Sequence, residues 1–130
     1  MSDSFNLEIV NPEKLFLSLE NVSEVVVPAF EGDMGILKDH ISIISFLKPG
    51  IVKVFTGKEV KELYVEEGII EFSENSLSIL TSRIIDIKEI KKDDLSSMIN
   101  EANEALKNEN LDDQKRFIAN QKIDVLNRLN

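Results

Sequence analysis

Pro28-Ala29-Phe30-Glu31-Gly32-Asp33-Met34-Gly35-Ile36-Leu37-Lys38-Asp39-His40 is a turn-rich stretch between two apolar, β-like runs, and Leu47-Lys48-Pro49-Gly50 closes the second of them. Gly32 and Gly35, flanked by Glu31, Asp33 and Asp39, predict a loop that takes positive φ at one or more positions and presents carboxylates to solvent. Glu24-Val25-Val26-Val27 leads into it as a strand. Pro28, which has no N–H to donate, marks either that strand's end or an unpaired edge.

Outward from this stretch the period is two. Phe5, Leu7 and Ile9 alternate with Asn6 and Glu8, Asn11-Pro12-Glu13 interrupts, and Leu15, Leu17 and Leu19 resume. On the other side Ile41 and Ile43 share a face, and Val52 and Val54 begin a strand that Thr56-Gly57-Lys58 turns into Glu59 to Val65. Alternation there places Leu63 and Val65 on one side and Glu62, Tyr64 and Glu66 on the other. Gly68 sets off Ile69-Ile70-Glu71-Phe72, and the Ser73-Glu74-Asn75-Ser76 turn leads to Leu77 and Ile79. Many short strands at roughly 8–12-residue spacing predict an all-β sandwich or barrel.

The pattern changes near Ile84. From Asp93 onward there is no Gly or Pro, and Leu95, Met98, Ile99, Ala102, Ala105 and Leu106 follow one helical face, predicting a helix over about 93–108. Asp93 and Asp94 suit its start, as cap and as charges that complement the helix dipole. Asn108-Glu109-Asn110 breaks the helix and Asp112-Asp113 opens a second that runs to about 129; so short a connection makes the two antiparallel. In the second helix Lys115 and Lys122 fall inside the apolar arc, either snorkelling out of it or docking on acidic protein. The expected fold is therefore mainly β with an α appendage: a β-sandwich domain over 1–87, then a mixed-charge linker and an antiparallel helical hairpin over 88–130.

Composition narrows the function classes. A chain of 130 residues can bury one core, and 42% hydrophobic with 30% charged residues reads as globular. No apolar run approaches the roughly 18 residues of a membrane span, and Met1-Ser2-Asp3-Ser4-Phe5 has neither a cationic nor an apolar leader region, a cytoplasmic reading. A net charge of −9 opposes binding to nucleic acid or anionic lipid. With no Cys, disulfides and thiolate metal sites are excluded. His40, beside Asp39, Asp33 and Glu31, offers a general base or half a metal pair, as a small hydrolase would need. No nucleophile with a matching base, ligand set or phosphate-cradling fingerprint accompanies it, so it reads as a loop histidine among solvated carboxylates, without catalysis or cofactor. The residues alone lead to an acidic sandwich with a helical hairpin, an adaptor that binds a protein or peptide partner.

The ordered set Pro28-Ala29, Glu31-Gly32-Asp33-Met34-Gly35-Ile36-Leu37, His40 and Leu47-Lys48-Pro49-Gly50, in a chain of this length with a helical tail, resembles the epsilon subunit of the bacterial F-type ATP synthase, the counterpart of mitochondrial delta. Lys38-Asp39 stands where the family has Pro-Gly, and Ser42-Ile43-Ile44 where it often has Pro-Leu-Leu. The resemblance implies a non-catalytic central-stalk subunit of a proton-translocating enzyme. It would be bound to the gamma subunit and the ring of c subunits, peripheral on the cytoplasmic face of the bacterial inner membrane. It assigns the ring contact to Glu31, Gly32, Asp33, Met34, Gly35 and His40. It further implies a hairpin able to reach the catalytic alpha and beta subunits and slow ATP hydrolysis weakly, with Lys115, Arg116, Lys122 and Arg128 as the candidate contacts. Some relatives bind ATP through an Arg at the start of the first helix; Asp93-Asp94-Leu95-Ser96-Ser97-Met98 has Ser there, so no nucleotide site is expected.

Overall fold

A computed structural model describes residues 3–130, so what was read at Met1 and Ser2 lies outside the described residues. Ten strands precede two helices: β1 Phe5–Val10, β2 Leu15–Val22, β3 Glu24–Ala29, β4 Gly32–Leu37, β5 Ile43–Leu47, β6 Gly50–Thr56, β7 Glu59–Val65, β8 Gly68–Ser73, β9 Ser76–Thr81, β10 Ile84–Asp86, then α1 Lys92–Leu106 and α2 Asp113–Leu129. The strand order is β10-β7-β6-β3-β5-β8-β9-β1-β2, with β4 on the remaining side of β3. Every pairing is antiparallel except β1 with β9.

β3 is where the sheet folds over on itself. One of its edges pairs with β4 from Glu24 to Ala29. The other is divided, with Glu24–Val26 on β6 and Ala29 alone on β5, opposite Leu47. Pro28 falls in the gap where the partner strand changes, so its missing N–H costs no ladder bond, and its carbonyl accepts from Lys48 N–H at 3.0 Å. The two halves close around one core, with Val25, Val27, Val52, Val54 and Leu63 from one side and Phe5, Leu7, Ile9, Ile70, Phe72, Leu77 and Ile79 from the other.

The stretch expected to be an acidic glycine loop is instead a β-hairpin. Residues 32–37 form β4, Phe30 and Glu31 make the turn before it, and Lys38 and Asp39 the turn after it. The physical reason is alternation: Met34 and Ile36 point inward while Asp33, Gly35 and Leu37 are exposed, so both glycines sit within a half-buried strand. Gly32 has φ +135, whereas Gly35 needs no positive φ. Asp39 takes the left-handed conformation at φ +67, and its N–H donates to Asn75 Oδ1 (2.7 Å) while Asn75 Nδ2 donates back to Asp39 Oδ1 (3.0 Å). This exchange ties the β4–β5 loop to the β8–β9 turn, where Glu74 and Asn75 both have positive φ as a two-residue hairpin turn requires.

Both helices begin near the positions read from the sequence. Asp94 reaches back to accept from Lys91 N–H (3.2 Å), and Asp112 caps α2 by accepting from Lys115 N–H (2.8 Å). Between β7 and β8 the chain crosses from one half of the sheet to the other at Glu66-Glu67-Gly68, strapped by Glu66 N–H to Arg83 O (3.1 Å) and Ser82 N–H to Glu67 O (3.1 Å). A Cβ on Gly68 would lie 2.1 Å from the Leu80 carbonyl oxygen, so only glycine lets β8 approach β9 at this corner. Gly68→Ala should therefore lower unfolding free energy by roughly 1–3 kcal/mol in urea titration, the range for overpacking. Lys58→Ala, in the exposed β6–β7 turn, should change it by no more than about 0.5 kcal/mol.

Candidate functional site

Each half of the folded sheet turns one apolar row outward, and the two rows have different fates. On the first half Ile51, Tyr64 and Ile85 stand directly opposite one another across β6, β7 and β10. The helical hairpin covers this row with Leu95 and Met98 of α1 and Val125 and Leu126 of α2, aided by Ile90, Ile99 and Leu129. Tyr64, read from the sequence as lying on the polar side of β7, is thereby completely buried.

A charged clasp borders this contact. Glu66, with 7% of its surface exposed, accepts a hydrogen bond from the Tyr64 hydroxyl (2.9 Å), with Lys122 Nζ of α2 at 3.4 Å and Arg83 at 3.8 Å. Arg83 also pairs with Glu101 of α1 (3.7 Å), and Lys122 with Glu67 (3.9 Å), so both helices are tied to one corner of the sandwich. Burial, reinforced by the Glu66 carboxylate alongside, pushes the Tyr64 hydroxyl well above the usual phenol range.

The outward row of the second half has no such cover. Phe46, Ile69, Leu80, Val10 and Leu15 lie opposite one another in turn across β5, β8, β9, β1 and β2. At strand spacing this row is about 19 Å long. Phe46 is 61% exposed, Leu15 53%, Leu80 49% and Ile69 39%. The neighbouring row, Ile44, Glu71, Ser78, Glu8 and Ser18, sets small hydroxyls and two carboxylates beside it. A contiguous exposed apolar strip with a polar border is the signature of a protein-binding surface.

The residues expected at the ring contact are only partly brought together. Glu31 and Asp33 are exposed at the tip of the β3–β4 hairpin and Gly35 is exposed further along β4, while Met34 packs against the core. His40 lies beyond the opposite end of β4, its ring edge-on to Phe72 at 5.8 Å and its Nδ1 2.7 Å from the Ile41 carbonyl oxygen. Asp39 is engaged by Asn75, the Nδ1 of His40 faces a backbone carbonyl, and among the described residues no three His, Cys, Asp or Glu side chains gather as a metal site. The four expected regulatory cations also scatter. Arg116 donates to the carbonyls of Leu106 and Asn108 inside the hairpin, Lys122 belongs to the clasp, and Lys115 and Arg128 are exposed. Sequence reading assigned no role to Tyr64, Glu66, Arg83 or the Phe46–Leu15 row; Lys122 inside the apolar arc of α2 was the one signal available.

A family profile described as the ATP synthase delta/epsilon chain β-sandwich domain matches residues 4–87. The chain is 60% identical, over the full length of both, to the ATP synthase epsilon chain of Pelagibacter ubique, and 35% identical to that of Rhizobium johnstonii over 88% of this chain and 85% of the relative. Among solved structures, a chain of the Euglena gracilis mitochondrial ATP synthase superposes with a TM-score of 0.77 at 22% identity, covering 98% of this chain and 81% of that one. A chain from the central stalk and c ring of the Tetrahymena thermophila enzyme gives 0.66 at 17% identity, covering 95% and 93%. Fold, full-length similarity and the matched sandwich domain agree: the chain belongs to the ATP synthase delta/epsilon chain family.

Proposed function

We propose that this chain is a non-catalytic central-stalk subunit of a rotary proton-translocating ATP synthase, seated between the gamma subunit and the c ring and passing rotation from one to the other. The observation that carries this reading is the bare row from Phe46 to Leu15, a ready-made face for a large partner on a protein that covers its other apolar row itself. In this reading gamma covers the row, and the exposed carboxylates Glu31 and Asp33 meet polar loops of the ring. No helix among the described residues is long and apolar enough to cross a membrane, which fits a peripheral subunit on the cytoplasmic face of the bacterial inner membrane. Division of labour follows the chain, with residues 1–87 for assembly and 88–130 for regulation.

In the regulatory reading the hairpin leaves the sandwich and its cations, Lys115, Arg116, Lys122 and Arg128, reach acidic surfaces of the alpha and beta subunits. Its docking rests on buried side chains of both helices, Leu95, Met98, Val125 and Leu126 among them, and on the clasp, in which Lys122 holds the nearly buried Glu66. Ion pairs of this partly exposed kind contribute about 1 kcal/mol or less and weaken with salt.

Three measurements test these assignments. A cysteine in place of Asp33 should cross-link to a c-subunit loop in the assembled enzyme; a label that never leaves the stalk removes the ring assignment. Phe46→Asp or Leu80→Asp, at exposed positions, should leave the chain folded but weaken gamma binding by at least about tenfold; undiminished binding means that gamma docks elsewhere. Lys122→Met, which keeps the apolar stem and removes the charge, should speed amide exchange in α2 by roughly fivefold at low salt, an effect that fades as salt rises. Equal exchange in both chains at low salt means that the clasp holds nothing.

A further inference from the structure

Where the bare row ends at Phe46 and Ile69, it opens into a groove that the hairpin helps to build. Leu47 forms its floor, Phe30, Phe46 and Ile69 its sandwich wall, and Ile118 of α2 the wall opposite. The aromatic rings of Phe30 and Phe117 stack at 5.9 Å and 24° beside it, so α2 touches the sandwich on this flank as well as at the Glu66 clasp. Phe46 and Ile69 thus belong to two surfaces at once, the row and the groove.

We propose that the segment of gamma that covers the row continues into this groove and rests on α2, so that gamma binding holds the hairpin against the sandwich. The inference rests on the reading of the row as the gamma-binding face. The groove is apolar inside, and Glu67 and Asp112 line it against one cation, Lys115. Glu71 and Glu8 add two more carboxylates beside the row. The chemistry that fits is an apolar side chain or two flanked by Lys or Arg, carried on an element long enough to follow the row across five strands. The wall contributed by Ile118, with Phe117 beside it, exists only while the hairpin is docked, so the groove is complete only in that state. Gamma therefore binds the docked form more tightly, and by reciprocity it shifts the hairpin's docking equilibrium toward the docked form by the same factor.

The test uses the full chain and its cognate purified gamma subunit, with hydrogen exchange of α1 and α2 followed with and without saturating gamma and affinity measured in parallel. Gamma should slow exchange across α2 by about tenfold or more. Phe117→Ala, at an exposed position, should lose that protection and bind gamma about tenfold more weakly. If binding depends on Leu80 while hairpin exchange and the affinity of Phe117→Ala are unchanged, the inference is overturned and the reading of the row survives. If Leu80→Asp binds gamma normally, the reading of the row is wrong, and this inference goes with it.

Discussion

Tyr64 is a large side chain completely buried on the outward face of a sheet, and the hairpin is what buries it. That contact sets the terms for the rest of the hairpin side. Removing the ring from water stabilises docking but brings the hydroxyl in with it, and a buried hydroxyl must find a partner. Glu66, two residues along and so on the same face of the chain, is that partner. The same step nearly buries a carboxylate, which in turn requires cations. Lys122 from α2 and Arg83 from the link between β9 and β10 supply them, and Arg83 extends the network to Glu101 of α1. One apolar contact thus accounts for the position of four charged groups, and for a lysine inside the apolar arc of α2 that helix geometry alone left ambiguous.

The clasp sits at the corner where the chain passes between the halves of the sheet. Thr81 Oγ1 donates to Glu66 O (2.9 Å), and the close approach of Gly68 to Leu80 holds the corner against β9. Glu66 therefore projects from one of the more constrained stretches of backbone. A clasp anchored there has a fixed address: the docked hairpin meets Glu66 through Lys122. Pairs of this sort add little net stability compared with apolar contacts, but a helix shifted off this position gives up the Lys122 pair and leaves Glu66 to Arg83 and the Tyr64 hydroxyl.

Most of the strands and both helices were legible because their signals are local. Period two in Phe5 to Ile9 and in Glu59 to Val65, the turn at Gly57-Lys58, and the Asp112 cap each follow from residues within a few positions of one another. Pro28 was legible only as a choice between strand end and edge; it proved to lie at a change of partner strand, which depends on residues 20 positions further on. The reading of residues 28–40 as a loop failed because glycines and carboxylates weigh toward turns, while pairing with β3 and the inward Met34 and Ile36 weigh toward a strand. His40 could be grouped with Glu31 and Asp33 from the sequence, but an extended strand separates residues that a loop would have kept near. Both outward rows were illegible for a deeper reason. Alternation tells which residues share a face, and it is silent on whether that face is covered and on how the registers of five strands align Phe46 with Leu15.

The geometry of the bare row also bears on mechanical load. A partner bound along a single edge strand would pull on one ladder of hydrogen bonds, which can fray from its end. Phe46, Ile69, Leu80, Val10 and Leu15 lie one on each of five adjacent strands, so a partner seated on them grips across the ladders. A lateral force is then shared among four inter-strand pairings, one of them the parallel pairing of β1 with β9 that joins the N-terminal hairpin to the rest. The side chains behind the row strands, among them Ile9, Ile70, Leu77 and Ile79, belong to the same close-packed core as Val52 and Leu63 of the opposite half, and packed interiors transmit strain with little give. Force entering at the row therefore reaches the β3–β4 tip through β5, β3 and the core. The tip is a two-residue turn on a paired strand, stiffer than the free loop its glycines predict.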